Sequence, residues 1–327
     1  MLFDKDSTLT YRKSMQIYQS IYSNLDTPQD ISLPKVTSDE LMILKSVLES
    51  VRKSTNTINR NLIDLEDELI EQASEKGNND AITLLSFKTI SDPKASRDDK
   101  KYAQKLIDDL SNMKHPLVFK LAGDLAYGKN AFQQAVNFWL QFIELENDTI
   151  AASHVYTNLG IFYYTLQPKP DLVKAKHYLE KALHFGEPDA TVIKAHFYYS
   201  QLFTITDPKT ARYHLEICAS KGAKESLLHL GFLELNTFNN YEKSLEWFKL
   251  GNEEKDDLKC LIGEFESYVG LKQYRNAMGI LQDIKGIYDT MKTQPKTNNS
   301  VAANLKILET FYRTREKTIR LVGEKAF

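Results

Sequence analysis

The side chains best suited to proton transfer or metal binding in this chain are seven histidines: His115, His154, His177, His184, His196, His214 and His229. No two stand at the HxxxH spacing that puts a pair of imidazoles on one helix face, and no cysteine lies near enough in sequence to complete a zinc motif. Each histidine falls in or beside a helical stretch, where packing or capping accounts for it. Cys218 and Cys260 are the only cysteines. Their spacing suggests no pair, so they read as small buried thiols in a reducing compartment. Asp64, Glu66, Asp67, Glu68, Glu71 and Glu75 crowd one predicted helix. Paired carboxylates can hold a cation or divide acid and base roles, but such a run reads first as a solvated helix face. There is no phosphate-cradling GxGxxG or Walker sequence and no nucleophile with an evident base. The expectation is a non-enzyme with no catalytic residue, cofactor or metal.

The elements that carry these residues recur along the chain. Residues 228–251, LHLGFLELNTFNNYEKSLEWFKLG, read as two short helices joined by a polar turn. Leu228, Leu230, Gly231, Leu233 and Leu235 face inward on the first. Asn239 and Asn240 supply turn and N-cap chemistry. Tyr241, Ser244, Leu245, Trp247 and Phe248 line the second, which stops at Gly251. One hairpin cannot bury its own apolar surface, and copies flank it. Residues 158–164 match the first helix and 175–182 the second. The same holds for 195–199 with 211–215, for 121–125 with 131–142, and for 261–265 with 274–281. The period is roughly 32–37 residues, which with helix–turn–helix content marks tetratricopeptide- or Sel1-like arrays. The fold expected is an all-α, right-handed superhelical solenoid of such pairs, with capping helices at both ends. Gly123, Gly160, Gly231 and Gly263 stand where helices must approach closely; His196 breaks that pattern, so its unit should pack apart or shift. The division read from the repeats is 1–78 for N-terminal helices and cap, 79–292 for the solenoid, and 293–327 for a C-terminal capping helix.

Composition fits that reading. Apolar residues are 42% of the 327 and charged residues 26%, with a formal net charge of −2, so no global attraction to nucleic acid is implied. No stretch reaches the roughly 18 apolar residues that suggest a membrane span. The first residues, MLFDKDSTLTY, contain Asp4 and Asp6 and read as neither a signal peptide nor an Arg-rich transit peptide. Met15, Tyr18, Ile21, Tyr22 and Leu25 make an apolar stripe on a helix over 9–25, expected to act as an N-terminal cap. A last helix is expected over 301–321.

Two surfaces emerge as candidate interfaces. In tetratricopeptide-like units the first helix of each pair lines the inner side. With the small residue as register, positions one, four and five after it and three before it face the groove. This gives Lys120, Asp124 and Tyr127; Thr157, Ile161 and Tyr164; Phe197 and Gln201; and Phe232, Leu235 and Asn236. A row of Tyr127, Ile161, Tyr164, Phe197 and Phe232 with polar neighbours would suit an extended or helical peptide. The alternative for the same rings is packing between repeats. Near the C-terminus, Arg313, Arg315, Lys317 and Arg320 form a basic helix that could rest on an anionic membrane surface, or merely solvate a cap.

Several blocks carry a resemblance. STLTYRKSMQIY and LDTPQ near the start, ASEKGNNDAITLLSF at 73–87, and CASKGAKESLLHLGFLELNTFNNYEKSLEWFKLG at 218–251 resemble a fungal mitochondrial family. Its members are matrix-side, peripheral inner-membrane factors needed to export the C-terminal tail of cytochrome c oxidase subunit II. The resemblance implies a non-catalytic assembly factor working with that tail and an Oxa1-type insertase. The reading from the repeats alone keeps a second option open, a general Sel1-like scaffold in the cytosol or at the endoplasmic reticulum. A presequence in the full-length gene product would separate the two.

Overall fold

The computed structural model describes residues 9–31, 33, 35–55, 58–184, 189–253, 257–293 and 299–326. Among them there is no strand, and no helix is long and apolar enough to cross a membrane. By packing, the chain forms two compact units, Met1–Asn147 and Asp148–Phe327.

The first unit runs α1 (Tyr11–Ser23), α2 (Ser38–Ser54), α3 (Arg60–Glu75), α4 (Asn79–Ser91), α5 (Arg97–Asn112), α6 (Pro116–Gly128) and α7 (Phe132–Leu145). Helices α2 and α3, α4 and α5, and α6 and α7 pack as consecutive pairs. Local sequence sets their starts. Thr37 and Glu40 form a reciprocal capping box at α2, and Asn78 and Ser96 cap α4 and α5, each satisfying amides the helix leaves free. Helix α1 buries Ile17 and Ile21 against Leu41, Leu44, Leu65 and Leu69. The stripe expected on this helix is displaced: Ser14, Ile17 and Ile21 face the core, while Met15 and Tyr22 point outward. Lys13 of α1 meets Glu40 of α2 at 2.6 Å, a contact made with Ile17 and Ile21 turned in. Nor is the acidic run on α3 wholly a solvated face. Glu66 is buried and accepts two bonds from Arg52, at 2.8 and 2.9 Å, and Asp67 meets Lys88 at 2.7 Å.

The second unit runs α8 (Ile150–Thr165), α9 (Leu172–His184), α10 (Ala190–Phe203), α11 (Pro208–Ser220), α12 (Lys224–Leu233), α13 (Tyr241–Gly251), α14 (Leu258–Gly270), α15 (Tyr274–Thr293), α16 (Asn299–Thr314) and α17 (Glu316–Lys325). Helices α8 to α15 form four consecutive pairs. The small residues lie where the sequence places them. A Cβ on Gly160 or Gly231 would come within 2.6 Å of Leu179 or Phe248, and one on Gly263 would also strike Phe248. Phe248, fully buried, is therefore held between glycines of α12 and α14.

Three details depart from expectation. The unit at His196 is not held apart. His214 stands on the facing helix near the level where Leu179 and Phe248 oppose glycines in the neighbouring units, and the imidazoles meet at 2.8 Å, Nδ1 to Nδ1. The large buried residue of this pair is kept, as Leu215, and His196, standing at the glycine position, meets the residue just before it. Second, α12 does not end in a simple polar turn. It passes into a π-helical turn, Glu234–Phe238, closed by the Asn240 N–H on the Glu234 carbonyl at 2.9 Å, with Asn239 in the left-handed region at φ 52°. Asn240 then caps α13. Third, the last helix is two. The chain breaks at Arg315, whose guanidinium bonds Glu266 of α14, and α17 turns to bury Val322 in the cluster that includes Ile284 and Leu308.

Candidate peptide-binding face

In the second unit the first helices of successive pairs, α8, α10 and α12, carry a connected row of aromatic rings. Tyr164 of α8 meets Tyr198 of α10 edge-on with centroids 5.3 Å apart. Tyr198 adjoins Phe197 at 5.7 Å, and Phe197 meets His229 of α12 at 5.0 Å, also edge-on. All four side chains are half-buried. Edge-to-face rings of this kind hold one another's rotamers while leaving part of each ring to solvent. Ile161, half-buried, precedes Tyr164 by three residues and so extends the row along α8. Lys194 and Gln201 on α10, and Asn236 in the π-helical turn after α12, are polar neighbours in sequence.

The expected groove residues divide. Ile161 and Tyr164 lie on this face, and Phe197 joins it while also packing against the cluster of Ala211, Leu215, Leu230 and Leu233. Phe232 is half-buried but packs edge-on against Phe248 at 4.9 Å, and Leu235 is buried beside it. Thr157 is fully buried. Leu235 and Thr157 are thus interior positions: the first helix turns them toward the stacked repeats, and register counted from the glycine misses this. Asn236 is exposed. Tyr127 sits in the other unit, against Phe132 and Trp139 of its own pair at 5.2 and 5.4 Å. Tyr198 and His229 lie outside that register, because they fall two residues after His196 and two before Gly231. The signal that could have found Tyr198 is the run Phe197-Tyr198-Tyr199, since one helix face cannot bury three adjacent rings.

Histidines serve this face as structure. His154 of α8 bonds the Asp189 carboxylate, the N-cap of α10, at 2.5 Å. Burial raises that carboxyl, yet the His154 bond and the backbone amides of the cap bring it down to about 2. In the first unit, away from this face, His115 makes a similar bond to Asp80 at 3.0 Å. Cys218 and Cys260 are buried and free, and burial pushes their thiols up to about 11 and about 12. Both therefore stay protonated and unreactive at neutral pH. Among the described residues no group of three or more histidine, cysteine or carboxylate side chains could hold a metal ion.

The His196–His214 pair carries a pH dependence. Burial, and then the second imidazole, holds His196 at about 4; burial also lowers His214, which Tyr199 covers at 4.9 Å. One neutral ring must donate and the other accept. The unfolded imidazoles bind protons near their ordinary value of about 6.5, so the unfolded state takes up protons first. Stability from the pair is complete above about pH 6.5 and is lost as the pH falls toward 4. Urea unfolding at both ends of this window should show wild type weakening more on acidification than a His196→Gly, His214→Tyr variant, which matches Gly160 and Tyr178 of the preceding pair. Equal weakening would remove the pair from the account.

The basic residues near the C-terminus are split by the break. Arg315 is engaged with Glu266, and Arg320 bonds Glu316 at 2.5 Å. Arg313 and Lys317 are exposed.

Comparison with known proteins adds three findings. Residues 1–78 match a family described as the MSS2 N-terminal domain. Over 294 residues the chain is 32% identical to "Protein MSS2, mitochondrial" of Saccharomyces cerevisiae, covering 87% of this chain and 83% of that one. Among solved structures it is similar to a Sel1 repeat protein from Oxalobacter formigenes (14% identity, TM-score 0.47, 73% and 99% coverage). It is also similar to c5321, a protective antigen of uropathogenic Escherichia coli displaying an SLR fold (14% identity, TM-score 0.49, 80% and 63% coverage).

Proposed function

The chain belongs to the MSS2 family, and from that premise we propose that it is a non-catalytic mitochondrial adaptor supporting membrane export of the C-terminal tail of cytochrome c oxidase subunit II. It works from the matrix side of the inner membrane, peripherally, and hands the tail to an Oxa1-type insertase. The observation that carries the binding part is the ring row Tyr164, Tyr198, Phe197 and His229, which crosses three consecutive pairs on one face. Half-buried aromatics held in place by their neighbours lose little freedom on binding and can anchor a peptide. Ile161 on α8 and Asn236 in the π-helical turn after α12 flank them. Exposed Arg313 and Lys317 are the groups available for an anionic surface.

The variant that tests this is Tyr164→Ala with Tyr198→Ala, since neither ring belongs to the apolar clusters of the interior. The purified variant should remain folded and bind a synthetic peptide of the subunit II tail about tenfold or more weaker than wild type. In mitochondria carrying it, the tail should stay shielded from protease added outside the inner membrane. A folded variant with unchanged peptide affinity rules out this face.

A further inference from the structure

The first unit carries a second recess of opposite character. Helices α3, α4 and α5 enclose an open groove of about 700 Å³. Leu85 of α4 and Leu106 of α5 form its half-buried apolar floor. Its rim carries Glu71 and Glu75 from α3, Asp92 at the end of α4, and Asp99 from α5, all exposed. Lys88 is the single cation in the lining, and it is already bound to Asp67 at 2.7 Å. The carboxylates of Glu71 and Glu75 meet no basic side chain among the described residues. Tyr102 stands at the edge, 65% exposed. Here, then, the acidic stretch noted in the sequence meets a cavity, an apolar floor and an exposed ring.

We propose that this groove docks a basic amphipathic helix of a partner protein, one that sets lysine or arginine side chains on either side of an aliphatic residue. The aliphatic residue fits the Leu85–Leu106 floor, the cations meet the four carboxylates, and Tyr102 offers its ring face to one of them. A volume of about 700 Å³ accommodates several side chains. The charge on the rim disfavours nucleic acid and anionic lipid as occupants. This site is separate in sequence and unit from the aromatic face, so either can fail without the other.

The test uses the full chain and a fluorescent synthetic helix of leucine and lysine in amphipathic order, with a scrambled peptide of the same composition. Anisotropy should show the ordered helix binding more tightly than the scrambled one, and its affinity falling about tenfold between about 0.05 and 0.5 M salt. Glu71→Lys with Glu75→Lys should weaken it by about tenfold or more. Both positions are exposed near the end of α3, where lysine suits the helix dipole, so the fold is retained. Tyr102→Ala should weaken binding several-fold. Asp108→Lys with Asp109→Lys makes the same charge change on α5 outside the groove lining and should change affinity by less than about twofold. Equal loss in that control, or equal binding of the scrambled peptide, reduces the effect to bulk charge and overturns the proposal. If wild type self-associates, and the Glu71, Glu75 variant abolishes this, the occupant is a second copy and the proposal is likewise overturned.

Discussion

Leucine in place of Gly231 is expected to destabilise the second unit by about 3 kcal/mol, and to lower its melting temperature by about 10 °C. The first atom of the new side chain already falls 2.6 Å from the Phe248 ring. Phe248 cannot retreat, because Gly263 of α14 receives its other side, and the ring is fully buried. Moving it would separate α12, α13 and α14 together, so overpacking at one glycine is felt by three helices. Gly263→Leu should do the same from the opposite side. Gly279 and Gly286 provide the contrast. Both lie on α15, and a Cβ there meets nothing within 4 Å. Alanine at either should leave the melting temperature unchanged or raise it, since helical glycine costs about 0.5–1 kcal/mol relative to alanine. Thermal unfolding of the four variants separates the two cases. A Gly231→Leu protein that melts with wild type would mean that Phe248 is not confined as described.

A second large loss is expected at Arg212. Its Nη1 bonds Glu234 Oε1 at 3.1 Å, and its guanidinium lies over the Phe238 ring at 4.4 Å. Glu234 is fully buried, and its other oxygen, Oε2, takes no hydrogen bond among the described residues. Arg212→Ala leaves that carboxylate without the one cation it meets among the described residues, which costs about 3–5 kcal/mol. The pair as a whole is worth much less than this, because burying both charges already costs solvation. Arg212→Met combined with Glu234→Leu should therefore recover most of the loss. Denaturant unfolding of both variants gives the comparison. A single variant within about 1 kcal/mol of wild type, or a double variant no better than the single, would contradict the role assigned to this pair.

The same ion pair marks a limit of what the sequence makes legible. Repeat period, glycine positions and Asn-rich turns identify the paired helices directly, since each rests on local backbone chemistry. In the π-helical turn Glu234 bonds Arg212, twenty-two positions away, and no local signal announces such a partner. The His196–His214 pair was invisible for a similar reason. His196 looks like a defect in one helix until His214, beside the retained Leu215 on the next, is seen to meet it. At the aromatic face, register alone finds Ile161, Tyr164 and Phe197. It wrongly includes Leu235, because side-chain direction on a helix depends on what the neighbouring repeat covers. It omits Tyr198 and His229, which join the row only through cross-helix ring contacts. At the break, Arg315 likewise bonds a distant carboxylate, Glu266.

The most direct measurement of the adaptor role is site-specific photocrosslinking in mitochondria making the protein with p-benzoylphenylalanine in place of Tyr164 or Tyr198. Tyr213, 61% exposed on the second helix of its pair, provides the comparison position. The account predicts light-dependent adducts with newly made subunit II from Tyr164 and Tyr198, lost when its C-terminal tail is deleted, and few or none from Tyr213. Adducts that form at Tyr213 but not at Tyr164 or Tyr198, or that survive removal of the tail, would contradict it.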